Sequence, residues 1–172
     1  MMRMMTASVL VMAMAVTACT DPARFGGDGN SGGAGAGTAG AIVPGGANDP
    51  TSAAFFQQSV GDRVLFAVDQ SNLTVEGRAT LDAQAAWLLT NADYQAVIEG
   101  HADEQGTREY NLALGARRAN AAQEYLISKG VPASRLRVVS YGKERPIEIC
   151  SNEACYAKNR RAVTVLAGGL TS

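Results

Sequence analysis

Hydrophobic and polar residues follow two periods along the second half of the chain, one typical of helices and one typical of strands. Leu81, Ala85 and Leu88 recur at helical spacing, whereas Leu136 and Val138 alternate with polar residues as in a half-buried strand. Four strands are predicted, at 63–68, 94–99, 135–140 and 161–166, with helices at 73–90 and 107–129 and a short helix at 156–160. Because helices separate the strands, we expect an α+β fold: a two-layer sandwich with a mixed four-stranded sheet and helices on one face.

The helix predicted at 107–129 has recognisable ends. Thr107 is suited to be its N-cap, and Gly130 and Pro132 supply the stop. Its core face is predicted to carry three apolar residues, Leu114, Ala121 and Tyr125.

The N-terminus is typical of an export signal. Arg3 precedes an apolar run at 4–18 that is shorter than the roughly 20 residues of a spanning helix, and small residues stand before Cys19. This pattern resembles a bacterial lipoprotein signal over 1–18, with Cys19 as the lipidated residue; the alternative is an ordinary secretory signal with a chance cysteine. Two or three acyl chains anchor a protein stably where one does not. In the lipoproteins that the signal resembles, Asp after the cysteine directs retention in the inner membrane, so Thr20 favours the outer membrane.

A glycine-rich stretch at 26–40 shows no periodicity and has almost nothing to bury. We therefore expect a flexible linker over 19–54 and one domain over 55–172. A linker of about 35 such residues has a root-mean-square span of roughly 30–35 Å and a full reach of about 115 Å.

Charge and composition exclude some partners. The net charge is −1 for the whole chain, and removal of 1–18 removes Arg3 alone among the charges. Aromatic residues make up only 6% of the chain. Nothing here indicates nucleic-acid binding, because that function needs basic patches or aromatic stacking platforms.

Cys150 and Cys155 remain once Cys19 is assigned to lipid. An even pair in an oxidising compartment predicts a disulfide that closes a short loop. Two reduced, buried thiols are the alternative, and too few further ligands stand nearby to suggest a metal site.

An acid and a base flank the start of the long helix. Asp103 lies in a glycine-bounded loop before the helix, and Arg118 lies within it, seven residues after Asn111 and therefore on the same face. A carboxylate facing a guanidinium predicts a pocket for a small zwitterion such as an amino acid. The alternative is an internal salt bridge between Asp103 and Arg118 that ties the loop to the helix.

His101 is the only histidine, and it stands close to Asp103 and Glu104. A zinc site usually takes three or four protein ligands, and within the domain predicted at 55–172 no Gly-x-Ser-x-Gly nucleophile motif occurs. We therefore predict no catalytic residues, no metal and no cofactor, and expect His101 to shape the loop through hydrogen bonds. Arg117 points about 100° away from Arg118 and is expected to be a surface charge.

Three stretches together resemble the OmpA-like C-terminal domains. They are GHADEQGTREYNLALGARRA at 100–119, SYGKERP at 140–146 and KNRRA at 158–162. The resemblance runs from about 60 to 166, essentially the whole predicted domain. It implies non-covalent binding of peptidoglycan through the meso-diaminopimelate of the stem peptide.

Position by position, the resemblance implies that Asp103 meets the ammonium of diaminopimelate and Arg118 meets its side-chain carboxylate. The other implied site residues are Asn111 and Leu114 in the cleft, Asp69 at the ligand's backbone, and Arg160 at the pocket edge. Many relatives carry an aromatic residue before the acid aligned with Asp69, whereas this chain has Val68. An arginine suits the carboxylate because its planar fork binds bidentately, which lysine cannot do.

The resemblance also implies partners and a location. It predicts an outer-membrane lipoprotein with its domain in the periplasm, which ties the membrane to the cell wall, binds TolB of the Tol system and takes part in envelope constriction during division. Two alternatives stay open: an envelope scaffold of the same family without Tol partners, and an amidase acting on wall peptides.

Overall fold

The structure, a computed structural model, describes residues 42–168. Its strands are β1 (Arg63–Leu65), β2 (Gln95–His101), β3 (Leu136–Gly142) and β4 (Arg161–Ala167). Its α-helices are α1 (Ala53–Phe55), α2 (Val75–Thr90), α3 (Arg108–Ser128) and α4 (Glu153–Asn159). A π-helical turn covers Phe56–Gly61, and a 3₁₀ turn covers Ala133–Arg135.

The four strands form one mixed sheet in the order β1-β4-β2-β3. β2 and β3 are parallel, with Ile98 opposite Val138, and α3 provides the crossover between them. β4 lies antiparallel to both β1 and β2, so that Thr164 is the other neighbour of Ile98. The predicted α+β sandwich with a mixed four-stranded sheet is therefore confirmed.

The core lies between the sheet and the helices α2 and α3. Ile98 of β2 is buried among Leu81 and Leu88 of α2 and Ala119 and Leu126 of α3. The tight fit depends on glycine: a Cβ on Gly100 would lie 1.8 Å from the carbonyl oxygen of Gly115 on α3. Two backbones can approach this closely only without side chains between them, and the contact places the first half of α3 over the end of β2.

The ends of α3 agree with the prediction, but its core face differs. The Thr107 hydroxyl accepts a hydrogen bond from the backbone N–H of Tyr110 (3.2 Å), and the helix stops before Gly130, whose φ is +98°. Leu114 is buried, as expected, whereas Ala121 and Tyr125 are only half-buried. Three other residues of the same helix fill the core instead, namely Ala119, Ala122 and Leu126.

Other boundaries shift for local reasons. α2 begins at Val75 because Thr74 caps it, and α4 begins at Glu153, earlier than predicted, because the side chain of Asn152 accepts a hydrogen bond from the N–H of Cys155. β1 ends at Leu65, three residues before the predicted end.

The helical stretch from Ala53 to Gly61 was not predicted. It brings the buried ring of Phe56 to 4.9 Å from that of Trp87. Pro50 lies just before this stretch, and its carbonyl accepts a hydrogen bond from the indole N–H of Trp87 (2.7 Å). The chain is therefore already packed against the domain at positions that the sequence assigned to the linker.

The predicted signal at 1–18, Cys19 and the linker as far as 41 lie outside the described residues. Within 42–168, none of the helices combines the length and the apolar character needed to cross a bilayer.

Candidate ligand-binding cleft

A cleft of about 270 Å³ opens where the carboxyl end of β2 meets the first turns of α3. Its walls come from the loop after β1, the loop after β2 and the start of α3. The lining residues are Val68, Asp69, Asp103, Gln105, Gly106, Tyr110, Asn111 and Leu114. Four of the six predicted ligand residues are among them; the other two, Arg118 and Arg160, lie behind the lining and contact the loops that form it.

Asp103 presents a largely buried carboxylate to the cleft, with 8% of the residue exposed. One oxygen accepts a hydrogen bond from Nη1 of Arg160 (3.1 Å), and the other accepts one from the backbone N–H of Gln105 (3.3 Å). A carboxylate offers about four acceptor positions, so roughly two remain for a ligand.

Arg118 is fully buried, and its guanidinium is held by backbone carbonyls. Nε donates to Gln70 (2.8 Å), Nη1 to His101 (2.9 Å) and Nη2 to Ala67 (3.2 Å). Burial lowers the pKa of Arg118 to about 10, partly offset by the charges of Asp103 and Asp69. It therefore remains a cation at neutral pH, and two of its five N–H groups are uncommitted.

Within residues 42–168, the alternative of an internal ion pair between Asp103 and Arg118 does not occur. Asp103 pairs instead with Arg160, whose Nε also donates to the carbonyl of Phe66 (3.2 Å). The guanidinium of Arg160 forms a second ion pair with the carboxylate of Glu153. Burial alone would lower the pKa of Arg160, but hydrogen bonds to Glu153 and Asp103 raise it above its ordinary value.

Asp69 and Tyr110 lie next to each other at one side of the cleft. Asp69 has a φ of +56°, a left-handed conformation that Asp adopts more readily than most residues. The phenol of Tyr110 donates a hydrogen bond to its carboxylate, and this bond raises the pKa of Tyr110 above its ordinary value. The pair closes one side of the cleft, next to Val68, which is 55% exposed.

Asn111 and Leu114 form the floor that α3 contributes. Asn111 is buried, and its side-chain amide donates to the carbonyl of Gln105 (2.8 Å), which fixes the loop that carries Asp103. Arg117, by contrast, is exposed, as its position on the helix predicted. Its guanidinium lies 5.9 Å from the centre of the Tyr110 ring.

The ring of His101 plays a different part from the one predicted. It is buried, and neither ring nitrogen has a hydrogen-bond partner, so the expected hydrogen bonds do not come from the ring. Its contribution is its carbonyl, which accepts from Arg118. Burial, helped by the charges of Arg161 and Arg145, lowers the pKa of His101 to about 4. In the described part of the chain, no three His, Cys, Asp or Glu side chains are grouped so that they could hold a metal ion.

The sequence did not indicate three residues that line the cleft, namely Gln105, Gly106 and Tyr110. Tyr110 could have been found, because it lies four residues before Leu114 and therefore on the same helix face. Glu153, which pairs with Arg160 behind the cleft, gave no such signal, because the fold alone brings it near Asp103.

A model of the OmpA family matches residues 65–160, and the chain belongs to this family. Among the relatives is the peptidoglycan-associated lipoprotein of Rhizobium meliloti (strain 1021), which is 48% identical over 159 residues, covering 92% of this chain and 85% of the relative. The protein of the same name from Mesorhizobium japonicum is 53% identical over 130 residues, or 76% of this chain and 74% of the relative.

Solved structures agree with this assignment. The peptidoglycan-associated lipoprotein of Burkholderia pseudomallei superposes with a TM-score of 0.63 at 36% identity, covering 70% of this chain and 98% of that chain. The C-terminal domain of Helicobacter pylori MotB gives a TM-score of 0.59 at 20% identity, covering 63% of this chain and 85% of that chain, which is a likeness of fold alone. The resemblance found in the sequence is therefore confirmed: the chain is an OmpA-family protein similar to peptidoglycan-associated lipoproteins.

Proposed function

We propose that this protein is an outer-membrane lipoprotein that binds peptidoglycan non-covalently through the meso-diaminopimelate of the stem peptide. One observation supports the proposal: the carboxylate of Asp103 lines the cleft with acceptor positions still free, and the buried, charged guanidinium of Arg118 lies behind the same lining, near enough for the charge of Asp103 to raise its pKa. The free end of diaminopimelate carries an ammonium and a carboxylate on one carbon, which matches this pair of charges. The names of the relatives support the same ligand class.

Each charge has a defined task in this proposal. Asp103 accepts from the ammonium with the oxygen positions that Arg160 and Gln105 leave open. Arg118 would meet the carboxylate with its two uncommitted N–H groups once the ligand displaces the side chains in front of it, and its bonds to three carbonyls hold it oriented before the ligand arrives. Asp69 contacts the ligand's backbone, while Asn111 and Leu114 line the cleft around its aliphatic chain.

The same geometry supplies selectivity. Lysine differs from diaminopimelate in lacking the second carboxylate, so a lysine-type stem peptide would leave the buried Arg118 without its anionic partner. An unpaired buried charge is costly, and that cost is what rejects the wrong ligand.

Binding is the whole of the proposed chemistry. His101 is absent from the cleft lining and its ring is neutral near pH 7, so it is poorly placed to serve a reaction on the ligand. An amidase would require an activated nucleophile or water in the cleft, and the described residues that line it include no serine, cysteine or histidine to supply one.

The lipid anchor and the partners complete the proposal. Acylated Cys19 would hold the chain in the outer membrane, and the glycine-rich linker would let the periplasmic domain reach the wall. As in the Tol system that the resemblance implies, the domain would also bind TolB and take part in envelope constriction during division. Recovery of TolB with the tagged protein from its own cells tests that part; failure to recover it would leave wall binding without a Tol role.

Sedimentation with purified cell wall tests the binding proposal. The wild-type protein should pellet with diaminopimelate-type wall and remain soluble with lysine-type wall. Asp103→Ala should remain soluble with both, whereas Arg117→Ala, which removes an exposed arginine next to Arg118, should behave as wild type. If Asp103→Ala is folded and still pellets with diaminopimelate-type wall, the assigned site is wrong.

A further inference from the structure

Charged side chains behind the cleft are linked in a chain of ion pairs. Asp103 bonds to Arg160, and Arg160 forms a two-pronged ion pair with Glu153, the first residue of α4. Resting on the function proposed above, we infer that Glu153 is a positioning residue for ligand binding: it shares the charge of Arg160 and so leaves Asp103 free to receive the ligand's ammonium, and the Cys150–Cys155 disulfide holds Glu153 in place.

The balance of charges explains why Glu153 matters. Asp103 and Glu153 share the single positive charge of Arg160, so this ion-pair network is net negative when Glu153 is present, which favours a cationic ligand group. Without it, the buried Arg160 has Asp103 as its one remaining ion-pair partner among the described residues, and the two then bind each other at the expense of the ligand.

Glu153 cannot hold this position through burial, because 65% of its side chain is exposed. Its location depends on the first turn of a helix of only seven residues, and helices this short are unstable on their own. Two features fix that turn. Asn152 caps it by accepting from the N–H of Cys155 (3.2 Å), and the disulfide joins Cys150 to Cys155 with their Cα atoms 6.0 Å apart, which encloses Glu153 in a short covalent loop.

The chain provides a matched control for this role. Glu148 belongs to the same surface region and also forms an ion pair, with Lys158 (2.8 Å), but it is absent from the cleft and does not contact Arg160. Removing its charge tests whether any acid near α4 affects binding. Glu153→Asp, which keeps the charge on a shorter side chain, tests whether charge rather than shape is responsible.

The experiment is calorimetric titration of the full-length protein in detergent with a soluble L-Ala–γ-D-Glu–meso-diaminopimelate peptide. Glu153→Gln should bind about threefold to fivefold more weakly than wild type, the range for an exposed ion pair acting on a neighbouring group. Glu148→Gln should bind as wild type, and Glu153→Asp should recover part of the loss. All variants should melt within a few degrees of wild type.

The disulfide is tested by the double substitution Cys150→Ser and Cys155→Ser. It should weaken binding by a similar factor, and combining it with Glu153→Gln should add nothing, because both act through the same ion pair. If the losses of affinity in the combined variant multiply instead, the disulfide loop acts by a route other than this ion pair. Wild-type affinity in Glu153→Gln would overturn the inference while leaving the proposed function intact. If wild type itself fails to bind the peptide, both proposals fall.

Discussion

Asp103→Asn separates the charge of the proposed ligand site from its shape. The substitution keeps the size of the side chain, but it removes the negative charge that faces the ligand, and the amide nitrogen replaces one of the two oxygens that accept from Gln105 and Arg160. Losing one partner of a desolvated charge pair costs about 2–5 kcal/mol of binding free energy. At the lower limit this corresponds to roughly thirtyfold weaker binding of a diaminopimelate peptide.

The effect of Asp103→Asn on folding should be smaller. Breaking a buried ion pair outright costs about 3–5 kcal/mol. Here Arg160 keeps Glu153 as a partner, and the amide oxygen of asparagine can still accept from Nη1, so we expect a loss of about 1–2 kcal/mol in the free energy of unfolding. Urea denaturation would measure this loss independently of binding.

Titration calorimetry with the soluble peptide and sedimentation with intact wall are the two assays for this variant. Glu104→Gln is the control, since Glu104 is the adjacent acid, is exposed and lies outside the cleft lining. Asp103→Asn that is folded and binds with wild-type affinity would refute the assignment of the ammonium to Asp103, and equal losses in both variants would indicate a general charge effect.

Four further outcomes are expected. Arg118→Lys keeps the charge, but lysine cannot reach the three backbone carbonyls at once, so the variant should lose about 2–4 kcal/mol in the free energy of unfolding measured in urea. It should also lose the preference for diaminopimelate-type over lysine-type wall, and a retained preference would contradict the role of the planar guanidinium. His101 has a depressed pKa in the folded state, so the unfolded chain takes up the proton first. The free energy of unfolding should therefore fall by up to about 3 kcal/mol as the pH falls from about 6.5 to 4, and His101→Leu should not show this pH-dependent loss in denaturation curves measured across that range. Gly100→Ala should force α3 away from β2 and lower the melting temperature by about 10 °C or more, whereas an unchanged melting curve would deny the close contact. Cys19→Ser should move the protein from the membrane fraction to the soluble periplasm, and unchanged fractionation would refute the lipid anchor.

The sequence alone was enough to predict how several residues of the candidate site are placed. The spacing of Asn111, Leu114 and Arg118 on one helix fixes their common direction, because helical geometry depends only on residue number. Thr107 before the helix and Gly130 after it set its limits through local hydrogen bonding and a left-handed φ. The same reasoning distinguished the buried Arg118 from the exposed Arg117 beside it.

The tertiary structure decided which partner each of these groups meets. Asp103 lies close to Arg118 along the chain, yet it pairs with Arg160, 57 residues away, because β4 returns to lie beside β2 and brings the end of α4 behind the cleft. Arg118 in turn is surrounded by backbone carbonyls from another loop, 48 and 51 residues distant. Periodicity records the direction in which a side chain leaves its own helix or strand, whereas the choice between possible partners depends on sheet order and crossover, which no local spacing encodes.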